Sequence, residues 1–148
     1  MISEFKDKYF FLSNFSPSLI FYGEDQIPCA TVEHYFQMAK TSIWDEAIAI
    51  AQAETPGEAK RLGRKCHLRS DWESIKDSVM EEALRQKFSN PKLKQALLDT
   101  GNEYLEEGTT WHDNYWGVCH CIKCQDTVGK NHLGKLLMKL REEFKEEN

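Results

Sequence analysis

Hydrophobic positions along the chain change period near residue 30. Before it, "SLIFYGEDQIPC" (residues 18–29) sets an apolar run, a Gly-Glu-Asp-Gln turn and a second short apolar run, which predicts a β-hairpin. Pro28 has no N–H to give a ladder, so its arm should be an edge or a strand end. From Thr31 onward the period is helical. Val32, Phe36, Ala39 and Ile43 recur at i, i+4, i+7 and i+11, one buried face. A second helix is expected from Asp45 to Ala53, with Asp45 as its cap. "TPGE" (55–58) reads as a capping box, with Thr55 as cap, Pro56 at the first helical position and Glu58 reaching back. "SDWE" (70–73) repeats the device with Ser70 as cap, ahead of a helix burying Ile75, Val79, Ala83 and Phe88. "SNPKLKQALLDTG" opens at Asn90-Pro91 and stops at Gly101. The last helix should start near Asn131, with Leu133, Leu136, Leu137, Leu140 and Phe144 as its stripe. Between Gly101 and Gly129 there is little periodicity. The expected fold class is α+β: a single compact, mostly helical domain over residues 1–148 with a few short strands.

Composition leaves that picture in place. The chain has 148 residues, 41% hydrophobic and 29% charged, ordinary for one globular domain. No apolar run approaches the roughly 20 residues of a membrane span, so no membrane partner is expected. The N-terminus has no signal-peptide pattern, which points to the cytoplasm. Five cysteines are an odd count, and free thiols are the expected state in a reducing compartment.

Charge changes the picture locally. The net charge is −5, yet "KRLGRKCHLR" (60–69) carries Lys60, Arg61, Arg64, Lys65 and Arg69 without an acid. A basic cluster on an acidic protein suits a small phosphorylated ligand better than an extended duplex. Glu58 can neutralise Arg61, leaving Lys60 and Arg64 at i, i+4 for a phosphate. The alternative is a solvated face.

Three further constellations can carry chemistry. Glu33, Gln37, Lys40 and Trp44 form a polar stripe beside the core face of the first helix. Glu33 falls in the first turn, where the helix dipole favours a carboxylate by about 0.3–1 kcal/mol when exposed. An ionised carboxylate can act as a base or stabilise a developing cation, but spacing alone favours a solvated face, because such stripes are common. "WHDNYWG" (111–117) gathers aromatics that can sandwich a planar base, with Asp113 for a hydroxyl or a water; the same residues can instead plug a core. "CHCIKC" places Cys119, Cys121 and Cys124 at spacings of two and three. A fourth metal ligand is not evident, although His112, His120 or His132 are available, so free thiols are favoured over a metal and no cofactor is expected.

The segments "FLSNFSP", "VEHYFQMAK", "TPGEAKRLGR", Trp72, "ALRQKFSNPKLKQALLDT", "HDNYWG" and "GKNHLGKLLMKLR" occur in this order from Phe11 to Arg141. Each is weak alone; together they resemble the NADAR (YbiA-like) superfamily. The resemblance departs after Trp116-Gly117, where Val118 and the cysteines follow. It implies a mostly helical α+β fold and N-glycosidase chemistry. One branch splits phosphoribosylamino-pyrimidine intermediates of riboflavin synthesis; another removes ADP-ribose from modified guanine in DNA or RNA. The implied partner is a small phosphorylated ribosyl or ADP-ribosyl substrate. Carried over by position, the implied catalytic residues are Glu33, Lys40 and Asp113. The implied substrate-binding residues are Asn14, Gln37, Lys60, Arg64, Trp72, Trp116, Gly117 and Asn131. Two routes stay open: Glu33 steadies a sugar cation while Asp113 handles water, or Lys40 attacks C1′ and forms a Schiff base. A binding module that holds the nucleotide without cleaving it is the rival class.

Overall fold

A computed structural model describes residues 1–147. The fold is α+β and mostly helical, with six α-helices, two 3-10 turns and two two-stranded sheets among the described residues. The chain separates into two compact units: residues 14–90, and residues 1–13 with the chain from Pro91 onward.

In the unit of residues 14–90, β1 (Ile20–Tyr22) pairs antiparallel with β2 (Ile27–Cys29), as the hairpin pattern predicts. Pro28 lies opposite Phe21. The Phe21 N–H donates to Gln86 Oε1 (2.9 Å) and its carbonyl accepts from Gln86 Nε2 (2.7 Å). Phe21 therefore asks nothing of Pro28, and the missing N–H leaves no gap in the ladder.

Helix α1 spans Val32–Met38, and all seven of its residues are buried. Thr31 caps it, its hydroxyl accepting from the His34 N–H (3.1 Å). The His34 ring is held between Thr31 Oγ1 (2.8 Å) and the Ala53 carbonyl (2.9 Å). The helix is shorter than its apolar period suggests. Ile43 and Trp44 are 43% and 56% exposed, so the stripe from Glu33 to Trp44 breaks after Gln37. A solvated face for Glu33 and Gln37 is likewise overturned, because α2 (Trp44–Ala51), α3 (Pro56–Lys65) and α4 (Trp72–Lys87) all pack on α1. Three helices leave a neighbour of about two turns no solvent side.

Neither predicted capping box closes fully: at Thr55 the cap forms, but the Glu58 carboxylate turns to Arg61 instead of reaching back. Thr55 Oγ1 accepts from the Glu58 N–H (3.1 Å) with Pro56 in the first turn. Ser70 does not cap α4; Asp71 occupies the position and makes no side-chain cap bond, since its carboxylate is turned to Arg69 (2.6 Å). Asp45 is inside the first turn of α2, behind Ile43. On α4, Met80, Ala83, Leu84 and Lys87 are buried with Phe88, while Ile75 and Val79 are half-buried.

In the other unit, α5 (Pro91–Asp99) and α6 (His132–Glu146) pack together. Leu97, Leu105, Leu133, Leu137, Leu140 and Phe144 are buried there, so the α6 stripe holds except that Leu136 is half-buried. The aperiodic region folds as two parallel two-residue strands, β3 (Gly108–Thr109) and β4 (Val118–Cys119), in the register Gly108↔Val118.

Candidate active site

The expected site residues fall into two sets, one in each unit. In residues 14–90 the set is Asn14, Glu33, Gln37, Lys40, Lys60, Arg64 and Trp72. Glu33 is 7% and Gln37 4% exposed, one helical turn apart on α1. Gln37 Nε2 donates to Glu33 Oε1 (2.7 Å). The Gln37 amide lies over Gly63 of α3: a Cβ there would stand 1.9 Å from Gln37 Oε1. Glycine lets α3 approach close enough to seal the carboxylate–amide pair. Asn14 is 7% exposed, and its backbone carbonyl accepts the Glu33 N–H (3.1 Å), which binds the "LSNFS" turn to the first turn of α1.

Two atoms stand out. Asn14 Oδ1 and Gln37 Oε1 are buried side-chain acceptors with no hydrogen-bond partner. Such an atom costs about 1–3 kcal/mol, and native proteins keep few of them. The Gln37 acceptor faces Gly63 of α3 and is enclosed by protein.

Lys40 follows directly after α1, half-buried, with its ammonium 5.6 Å from the centre of the Phe36 ring. Burial pushes its pKa below the ordinary lysine range. The Glu33 carboxylate and the Cys66 thiol oppose that shift, while Lys60 and Arg64 add to it. These groups therefore share one electrostatic neighbourhood. Cys66, which ends α3, was not among the expected residues; it is 26 positions from Lys40, and only the return of α3 brings it near. The backbone N–H of Arg69 closes the same corner, donating to the Lys40 carbonyl (2.8 Å).

Along α3, Arg61 is paired with Glu58 as the charge pattern suggests. Arg64 is exposed and has no salt-bridge partner among the described residues. Trp72 is 5% exposed and meets Phe36 edge-on at 5.0 Å. It lies beneath the aromatic ring that supports Lys40.

In the other unit, Asp113 Oδ1 accepts from the N–H groups of Tyr115 (3.1 Å) and Trp116 (2.9 Å), holding the aromatic turn in shape. Trp116 is half-buried, and its ring meets Tyr115 edge-on (4.8 Å) and His132 (6.3 Å). The carbonyls of Tyr115, Trp116 and Gly117 accept from the N–H groups of His132, Leu133 and Asn131, which satisfies the opening of α6. Gly117 has room for no side chain, because a Cβ would lie 2.2 Å from the Glu107 carbonyl. Asn131 is 1% exposed. Its Oδ1 accepts from Glu107 N–H (3.1 Å), and its Nδ2 donates to the Leu105 carbonyl (2.9 Å) and to Tyr104 Oη (3.2 Å). Gly117 and Asn131 thus frame the segment that carries Asp113 and Trp116.

Fold and residue pattern together define a NADAR protein: the NADAR domain family matches residues 2–145, and the chain belongs to it. Among its relatives, N-glycosidase Npun_R5314 of Nostoc punctiforme is 42% identical over 139 residues, covering 90% of this chain and 84% of that protein. A riboflavin biosynthesis protein PYRR of Zea mays is 38% identical, covering 89% of this chain and 23% of that much longer protein. The NMR structure of Escherichia coli YbiA superposes with a TM-score of 0.79 at 36% identity, over 99% of this chain and 88% of that one. No described helix is long and apolar enough to cross a membrane.

Proposed function

We propose that the chain is an N-glycosidase that hydrolyses the C1′–N bond of a 5′-phosphorylated ribosyl base of the riboflavin-intermediate type. One observation carries the reading: a buried glutamate held by the Gln37 amide, beside a lysine of lowered basicity and a basic helix. The names of the relatives, N-glycosidase and riboflavin biosynthesis protein, support the same class.

The chemistry follows from the groups. As the C1′–N bond lengthens, its electron pair leaves with the base and positive charge grows on C1′ and the ring oxygen. An ionised Glu33 stabilises that charge. Lys60 and Arg64 take the phosphate. Water adds to C1′, and its proton goes to the departing base, which completes the hydrolysis. In the second route Lys40 Nζ attacks C1′, the base departs, and the opened sugar is held as an imine that water later hydrolyses to ribose 5-phosphate.

The deciding experiment incubates purified protein with a phosphoribosylaminopyrimidine and, separately, with ADP-ribosylated guanosine, and follows products by chromatography. Free pyrimidine plus ribose 5-phosphate is expected. Release of guanosine and ADP-ribose, with the pyrimidine substrate left intact, would move the reading to ADP-ribose removal, and a thermal shift without product would make the chain a binding module. Glu33→Gln should lower turnover about 10²–10⁴-fold with helical content unchanged; near-normal turnover would reject Glu33.

A further inference from the structure

We propose that His112, Cys119, Cys121 and Cys124 bind a structural zinc ion. This site stands apart from the glycosidase reading and does not depend on it. The ligating atoms of these four residues all lie within 4.8 Å of one another. His112 Nδ1 is 3.3 Å from Cys121 Sγ and 3.3 Å from Cys124 Sγ. Zinc with thiolate bonds of about 2.3 Å and an imidazole bond of about 2.0–2.1 Å sets tetrahedral edges near 3.5–3.8 Å. The four atoms need to spread or close by only a fraction of that to enclose the ion. Three sulfurs and one imidazole are a donor set that selects zinc over hard cations.

The backbone delivers these atoms deliberately. Cys119 is fixed by β4, opposite Thr109, and its N–H donates to Asn114 Oδ1 (2.9 Å). The chain then turns through a 3-10 segment, Ile122–Cys124, where the Cys124 N–H donates to the Cys121 carbonyl (3.1 Å). This brings Cys124 back to Cys121 as a C-x-x-C knuckle. His112 arrives from the other side with φ at +68°, a conformation that a residue with a side chain adopts only when its surroundings hold it there. Its N–H donates to Cys119 Sγ (3.3 Å), the kind of contact that steadies a metal-bound thiolate.

Burial in this loop is inverted. Cys119 and Cys124 are 3% and 9% exposed, while Ile122 and Val128 are 84% and 90% exposed. Apolar packing therefore does not hold residues 119–128 together, and a metal clip supplies what the missing core cannot. All five cysteines are free. The clip ties His112 to Cys119, the two ends of the segment bearing Asp113, Trp116 and Gly117.

The test is metal analysis of the full-length chain, loaded with zinc under reducing conditions and then dialysed. About one zinc per chain is expected, with at least a tenfold loss in Cys121→Ser and in His112→Asn. Cys29→Ala should retain the metal. Cobalt loading of the unmodified chain should give the intense red-region bands of tetrahedral thiolate coordination, a readout that survives even if a variant misfolds. A wild-type chain that keeps no zinc and shows no such bands would overturn the proposal. So would metal held equally by Cys121→Ser, or a mass two hydrogens short that marks a disulfide in its place.

Discussion

Lys40 sits where opposing influences are unequal. Burial depresses its pKa, Lys60 and Arg64 push the same way, and Glu33 only partly offsets them. A lowered pKa enlarges the share of neutral amine, the form that attacks C1′ in a Schiff-base route. Borohydride added during turnover should trap a ribose-phosphate adduct on Lys40, visible by mass spectrometry. If no adduct forms and Lys40→Arg stays within about tenfold of the parent rate, the lysine acts only through its charge. The residue scale also marks how far the sequence could be read. The period placed Glu33 and Gln37 together on one side of α1. Their burial was not readable, because it depends on α3 closing over them at Gly63, a position whose only sequence mark is the lack of a side chain.

At the scale of the element, α3 is the structure that presents the cations. Thr55 fixes its first turn, and Glu58 removes Arg61 from the pool of cations. Thr55→Ala should cost about 0.5–2 kcal/mol in denaturant unfolding. If Lys60 and Arg64 grip the phosphate, the same change should raise KM more than it lowers kcat, and added salt should exaggerate the effect. An unchanged KM would separate the helix from binding. The cap was legible because Thr55 satisfies it locally. "SDWE" carries the same signature and fails, because α4 starts one residue later than it implies, with Asp71 at the cap position and its carboxylate on Arg69. The segment 101–129 was opaque for a related reason. Its order comes from carbonyls shared with α6 and from side chains such as Asn131 bonded to distant backbone, none of which follows a period.

For the molecule as a whole, stability should carry the imprint of Lys87. It is fully buried on α4, donating to Ser16 Oγ (2.8 Å), and burial pulls its pKa down to about 7. In the unfolded chain the value is about 10.4. Between those values the unfolded chain holds a proton that the folded one has released, so stability rises with pH across that window. Below pH 7 both states are charged and the folded state bears the full cost of a buried ammonium. Cys29 works in the opposite sense at higher pH, since burial pushes its thiol up to about 12, and the rise should therefore be cleanest between about pH 7 and 8.5. Lys87→Met should raise Tm at pH 7 and flatten that rise in a thermal melt series. A slope that survives the substitution would assign it elsewhere.

Gln86 has a role beyond completing a hairpin. An exposed strand margin is a template onto which a second chain can add itself, and Phe21 of β1 and Leu19 just before it are 38% and 66% exposed. The glutamine side chain occupies the free N–H and carbonyl of Phe21 much as a neighbouring strand would, so it works as a stopper against self-association. Gln86→Ala should leave the monomer folded at low concentration yet make it polymerise on standing, which light scattering against concentration would register.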